Sequence, residues 1–265
     1  MCKRKKICIF AQINMILEIL ICTIDEGIVK VPDVLMPPRD DVRYLVSMQW
    51  TRENVKGWVP SVLMEREDVK LVFLEGKGLS RNRNNAIEHV SGDVLLIADD
   101  DNRYTDELIA NIFEAYEAHP EADAIHFQAL NMEGKPLHPY PADYVSSVEM
   151  SFRRNVKVKF DERFGLGSEK LCAGEEQVWM KDAADAGYNI RYVAKPVVMT
   201  SAGTTGERFV GNRKAQMSKG AAFKHVYGVG EAVWRSVKEA GWYLYHRGVN
   251  PLPILYNMLK GIVEI

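Results

Sequence analysis

Cysteine is scarce in this chain and forms no pattern. The four residues, at 2, 8, 22 and 172, make no CxxC pair and no Cys/His zinc spacing. That excludes a disulfide framework or a zinc-held fold, and the expected state is reduced thiols in a reducing, cytoplasmic compartment. An excess of either charge is also missing. With 34 Lys and Arg against 36 acidic residues the net charge is -2, so nothing electrostatic points to a nucleic-acid partner. Repeats and low-complexity linkers are absent too. The N-terminal "MCKRKKICIFAQINMILEILICTI" begins like a signal peptide, basic and then apolar, but Gln12, Asn14 and Glu18 interrupt the run and no small-residue cleavage site follows. Residues 1–14 therefore read as an extension, with Met15 a candidate start.

What is present is an ordinary globular mixture, 47% apolar and 26% charged over 265 residues, enough for one large α/β domain or two small ones. "ILEILICTI" (16–24), "VRYLVSMQ" (42–49), "VKLVFLE" (69–75) and "GDVLLIAD" read as buried parallel strands. Between them "RENVKGWVPSVLM" and "LSRNRNNAIEHV" have helical spacing, which predicts βαβ units in a doubly wound, Rossmann-like, mostly parallel sheet flanked by helices. Thr105 is the expected N-cap of a helix through "ELIANIFEAYEA", with Asp106 and Glu107 in its first turn. A strand "ADAIHFQAL" follows, then loops and short strands from 131 to 160. "GEEQVWMKDAADAG" reads as a helix ended by Gly187, and "IRYVAKPVVMT" as a strand.

At the end of the fourth strand stand three consecutive aspartates, 99 to 101, in "LLIADDDNRYTDELI". Adjacent carboxylates repel, and at a buried strand end each is costly without a cation. Ligands of open α/β sheets sit at the carboxyl ends of the strands. A divalent metal with oxygen ligands, Mn²⁺ or Mg²⁺, suits the cluster, with Asp99 and Asp101 pointing together and Asp100 away. The alternative for these residues alone is a solvated acidic turn capping the next helix.

Two longer stretches resemble family 2 glycosyltransferases. "GLSRNRNNAIEHVSGDVLLIADDD" is similar to the family's Arg-Asn helix start, strand and Asp-x-Asp motif; "FDERFGLGSEKLCAGEEQVWMKDAADAGYNIRYVAKPVV" is similar to its later Phe-Asp-Glu, Gly-rich loop and Gly-Glu-Asp segment. Their order and separation match, so the likeness runs over about residues 16–200. The resemblance implies a GT-A fold and transfer of a sugar, with inversion, from a nucleotide diphosphate sugar, a UDP-sugar in the first instance, to a glycan or lipid-linked acceptor. It places the metal on Asp99 and Asp101, a general base on Glu176 with Glu175 beside it, and the nucleotide against Thr23, Asp25 or Glu26, Arg83, Asn84, Asp99 and Asp100, with Arg81 an added cation. The family's acidic residue after the second strand is replaced here by Gln49 or Trp50. No His follows "VVMT", where the wider fold often has a metal ligand; Thr204, Thr205 and Arg208 are candidates to close over the diphosphate instead. Trp179 is expected in the core, with an acceptor-stacking role as the alternative.

Other classes remain open at this stage. A sugar-nucleotide-forming nucleotidyltransferase would need a Gly-rich, basic loop after the first strand, and "ICTIDEGIVKVPDVL" has one Gly; a catalytically silent sugar-binding protein of the same fold is the third reading. The expected division is an extension (1–14), a catalytic domain (15–206, its nucleotide-sugar half about 15–104 and its acceptor half about 105–206) and a helical tail (207–265). The tail combines cations with Trp, Tyr, Leu and Ile, and Pro251 and Pro253 break its apolar runs. It is expected to lie on a membrane, at the inner face of the plasma membrane, rather than cross it, or to pack on the domain's own surface.

Overall fold

Seven of the eight residues of β1 (Leu17–Ile24) are buried, as befits a β-branched and Leu-rich run in a parallel sheet covered on both faces. Its one acid is built in. Glu18 accepts hydrogen bonds from the backbone N–H groups of Ser91 (2.5 Å) and Gly92 (2.7 Å), and a Cβ on Gly92 would strike the Glu18 side chain. The computed structural model describes residues 15–137, 145–201 and 209–265. In it, β2 (Val42–Trp50), β3 (Val69–Glu75) and β4 (Val94–Asp99) join β1 in parallel, followed by β5 (Ala124–Leu130), β6 (Met150–Arg153) and β7 (Ile190–Met199).

The seven strands run in the order β3-β2-β1-β4-β6-β5-β7. The sheet is mostly parallel, as expected, and β6 is its antiparallel member, running opposite to both its neighbours. Its four residues are too few for a period to register, and pairing with strands far away in sequence makes them a strand. The stretch read as one helix after β2 is also divided, into a 3-10 segment Glu53–Trp58 and a five-residue helix α1 (Ser61–Glu65). Pro60 is the reason: it holds Val59 in the extended region and has no N–H to continue a helix. A further 3-10 segment, Asp25–Val34, gave no periodic signal.

Helices α2 (Leu79–Glu88), α3 (Asp106–Ala118) and α4 (Glu175–Asp185) cover the sheet. Thr105 caps α3 as expected, its hydroxyl accepting the Leu108 N–H at 3.3 Å. One core layer gathers Ile19, Val46, Leu96, Ile112 and Phe127; the other gathers Leu20, Leu45, Ile97, Phe152 and Trp179. The alternate residues of β1 supply both.

Three helices close the chain, α5 (Arg213–Tyr227), α6 (Val229–Arg247) and α7 (Pro251–Glu264). They are not a detached tail. Met217, Ala221 and Ala222 of α5 share a buried cluster with Val178 of α4 and with Phe164 and Leu171 of the loop before it, and His225 Nε2 meets Asp182 Oδ1 at 2.6 Å. The expected boundary at 206/207 falls outside the described residues, as does the extension 1–14. No helix among the described residues is long and apolar enough to cross a membrane.

Helices α5 and α7 touch backbone to backbone: a Cβ on Gly220 would collide with the Met258 carbonyl, and one on Gly261 with the Met217 carbonyl. Such closeness gains dispersion contacts along both helices and leaves no room for a methyl group. Gly261→Ala should therefore lower stability by about 1–3 kcal/mol, the usual cost of overpacking. Urea unfolding checks this; a variant within experimental error of the parent would mean that the helices separate at no cost.

Candidate active site

The site begins where β4 runs out. Its apolar run is buried to Ala98, and the chain then turns on an internal hydrogen bond, the Asp99 N–H donating to Asn102 Oδ1 at 2.7 Å. The three aspartates leave this turn in three directions. Asp99 faces the guanidinium of Arg83, 3.8 Å away. Asp100 accepts from Thr23 Oγ1 at 2.6 Å, tying β4 to the end of β1, and Asp101 accepts from Ser201 Oγ at 2.6 Å. Gly27 is required beside this junction, since a Cβ there would collide with both Asp100 and Thr23.

Arg83 is the centre of the charge arrangement. It lies on α2 with about 1% of its surface exposed. One nitrogen donates to Ser147 Oγ (2.7 Å) and another to Glu175 Oε1 (3.1 Å), with Glu176 Oε1 at 3.7 Å. The Phe160 ring lies 5.3 Å from its guanidinium carbon. Burial disfavours its charge, but Glu175, Glu176 and Asp99 outweigh that and keep it a cation. A single buried arginine thus joins carboxylates from the two sequence motifs.

The glutamates open α4 after Gly174, whose φ of +94° is a left-handed conformation that favours glycine. Two acids in the first turn also suit the positive end of the helix dipole. They differ in surroundings. Glu175 is buried; one oxygen takes the Arg83 bond, and the other has no partner among the described residues. Glu176 is held less tightly and keeps about a sixth of its side chain exposed. Burial, and then the charge of Glu175, raises its pKa to about 8, against the opposing pull of Arg83. Burial first, and then Asp101 and Asp100, likewise raise Asp99, again opposed by Arg83.

Arg83, Asp99, Glu175 and Glu176 line one cavity of about 350 Å³. The same cavity is lined by residues that sequence reasoning missed: Ser147 and Thr200, Phe209 ahead of α5, Lys219 of α5 and Tyr243 of α6. Phe209 and Tyr243 stack with centroids 5.1 Å apart, and Lys219 pairs with Glu239 at 2.6 Å. Nothing local in the sequence marks them, because their chemistry depends on how the last three helices dock. The Gly-rich loop is fastened to α2 by Ser80 Oγ donating to the Phe164 carbonyl (2.7 Å). Gly165, at φ +98°, fits there because a Cβ would crowd Ser80 and the Glu175 carboxyl.

The other predicted residues lie apart from this cavity. Thr23 and Gln49 are buried at the ends of β1 and β2, and the Gln49 amide nitrogen has no partner among the described residues. Asn82, not predicted, ties these strands together by donating to the Thr23 and Ser47 carbonyls, each at 3.0 Å. Three further candidates have partners within the protein. The Asn84 amide is engaged by the Phe160 backbone, donating at 2.9 Å and accepting at 2.7 Å. Asp25 is occupied by Thr51, accepting from its N–H (2.8 Å) and hydroxyl (2.7 Å). Arg81 donates to the Glu75 carbonyl (2.8 Å) on the outer surface rather than to the cavity. Trp179 is core, between Phe152 and Phe160 with its N–H on the Val158 carbonyl. Thr204, Thr205 and Arg208 lie outside the described residues.

Asp101 raises the cost of ionising Asp99 near this strand end, and such a setting fits a hard divalent cation, which commonly takes one or two carboxylates and fills its shell with water and phosphate. Asp99 and Asp101 are the candidates for that role, Asp101 now accepting from Ser201. Among the described residues no group of three His, Cys, Asp or Glu is arranged to hold a metal by itself.

Residues 47–168, which include Arg83 and the three aspartates but stop short of Glu175, match the sequence profile of Glycosyl transferase family 2. No curated protein matches. Among solved structures, S. aureus TarS 1-349 in complex with UDP-GlcNAc superposes with a TM-score of 0.54 at 12% identity, covering 94% of this chain and 91% of that one. The mannosyltransferase PcManGT from Pyrobaculum calidifontis, in complex with GDP-Man and Mn2+, gives 0.54 at 14% identity, covering 94% and 75%. Against the longer S. aureus TarS structure the chain spans 44% of that protein's length. At such identities the likeness speaks for the fold, and the matched profile for the family of the region that holds the aspartates. Residues 47–168 of this chain thus match Glycosyl transferase family 2, on a fold similar to that of solved GT-A glycosyltransferases.

Proposed function

We propose that the protein transfers a sugar, with inversion, from a nucleoside diphosphate sugar to a hydroxyl of a glycan or lipid-linked acceptor. The observation that carries this reading is the single cavity in which Arg83 gathers Asp99, Glu175 and Glu176. Glu176, the more accessible glutamate, takes the proton of the acceptor hydroxyl. The freed oxygen attacks the anomeric carbon from the face opposite the leaving group, and the bond from that carbon to the diphosphate oxygen breaks, its electron pair leaving with the nucleotide. Glu175 stays as the counter-charge that fixes Arg83. Thr23 and Gln49 hold the nucleoside at the strand ends. A divalent ion on Asp99 and Asp101 would neutralise charge on the departing diphosphate.

A thermal-shift panel of nucleotide sugars with Mn²⁺ or Mg²⁺ tests the reading, because a ligand of the native state raises the melting temperature. At least one UDP- or GDP-sugar should stabilise the parent, and only with the metal. Asp101→Ala should lose that shift while its own unliganded melting temperature stays near the parent's, since Asp101 makes no packing contact in the core. Undiminished binding by this variant would remove Asp101 from the metal site. If no nucleotide sugar binds the parent, the donor reading fails as a whole.

A further inference from the structure

Helix α6 is built inside out. It buries its small residues, Ala232, Ser236 and Ala240, and exposes large ones, with Trp234 at 56%, Trp242 at 47% and Tyr245 at 85% of full exposure. Such a face is ordinarily turned inward, because each large apolar side chain left in water forgoes the gain of burial. Val233, Val237 and Leu244 widen the exposed band, and Leu252, Tyr256 and Val263 of α7 are exposed as well.

Along α6, Trp234, Lys238 and Trp242 stand at four-residue intervals and so form one line. They border a second cavity of about 270 Å³, together with Phe223, Arg235 and the glutamates 231 and 239. The charges around it are mostly matched: Arg235 with Glu231 at 3.0 Å, and Glu239 with Lys219. Lys238 alone of this group has no ion pair or hydrogen bond among the described residues. From 213 to 264 there are eight Lys and Arg against three Glu, although the whole chain carries -2. The apolar face therefore lies on the positive part of an otherwise acidic molecule.

We infer that α6 lies against an anionic lipid bilayer, with Trp234 and Trp242 at the headgroup level and Lys238 between them on a lipid phosphate. Indole rings belong at the apolar–aqueous boundary, where one edge is greasy and the N–H is wet. A lysine between them meets phosphate as a point charge, its stem lying along the apolar surface. A second copy of this chain is the weaker occupant: a two-fold contact places the same patch on both sides, so the two positive segments would face each other. Because Tyr243 and Lys219 of the same helix pair wall the active-site cavity, docking brings that cavity to the membrane. The inference needs no donor, metal or acceptor, and stands or falls separately from the proposed transfer.

Flotation of the full chain with vesicles of mixed phosphatidylcholine and phosphatidylglycerol, and with phosphatidylcholine alone, tests it. The chain should float with the anionic vesicles at low salt and be released as salt rises, since the surface attraction is screened. Trp234→Ser and Lys238→Glu should each weaken this by about tenfold or more, while melting at the parent's temperature. A parent that stays with the soluble fraction, or variants that float as well as it does, overturns the inference. Concentration-dependent dimerisation abolished by Trp234→Ser, without flotation of the parent, gives the face to a second copy instead.

Discussion

Arg83→Met should cost about 3–5 kcal/mol of folding stability, the range seen when one partner of a buried charge network is removed. Methionine fills most of the volume, so the loss measures charge rather than a cavity. What it leaves behind is Glu175, already with one unpartnered oxygen, together with Glu176 and with Asp99, which had faced the guanidinium at 3.8 Å. Urea unfolding gives the number, and a double variant with Glu175→Gln should recover part of it, since one of the stranded charges is then gone. A loss under about 1 kcal/mol would mean that the carboxylates are neutral whether or not the arginine is there. Arg83→Lys keeps the charge but cannot reach Ser147 and Glu175 together, and should fall between the two.

Glu176→Gln should lower transfer about a hundredfold or more, the usual contribution of a general base, while nucleotide-sugar binding survives. The amide keeps the size and loses the basic oxygen. Comparable loss in Glu175→Gln with Glu176→Gln nearly active would move the base by one residue. The pH profile adds an independent check. With its pKa raised to about 8, Glu176 is mostly protonated at neutral pH, so the rate should climb with pH through about 8. Glu175→Gln removes the second cause of that shift and should move the midpoint to lower pH. The same shift has a sign for stability. A carboxyl raised from 4.5 to about 8 must ionise against the fold, so its effect is absent below pH 4.5 and stability declines as pH rises toward 8. A rate flat from pH 6 to 9 would exclude Glu176 as the titrating base.

Legibility differed from residue to residue for physical reasons. Strands β1 to β4 and helices α2 and α3 stood out because their cores repeat over many residues, and Thr105 because capping is a local bond. The 3-10 segments and β6 were too short or too irregular to carry a period. The acidic triplet and the two glutamates were visible because like charges set side by side are conspicuous in any sequence. The partners of Asn84 and Asp25 within the fold were not legible: a polar residue in a motif looks the same whether its partner is a ligand or the Phe160 or Thr51 backbone.

The sequence by itself determined the α/β architecture, the strand end on which the aspartates sit and the helix start that carries the glutamates, since periodicity, caps and charge runs all act within a few residues. Only the tertiary structure decided that Arg83, 92 positions from Glu175, is their common counter-ion, that Phe209, Lys219 and Tyr243 wall the cavity, and that α6 turns its tryptophans outward. Each of these depends on which surfaces meet once the chain has closed. Burial and electrostatic pairing are set by distances in space, and a sequence records only distances along the chain.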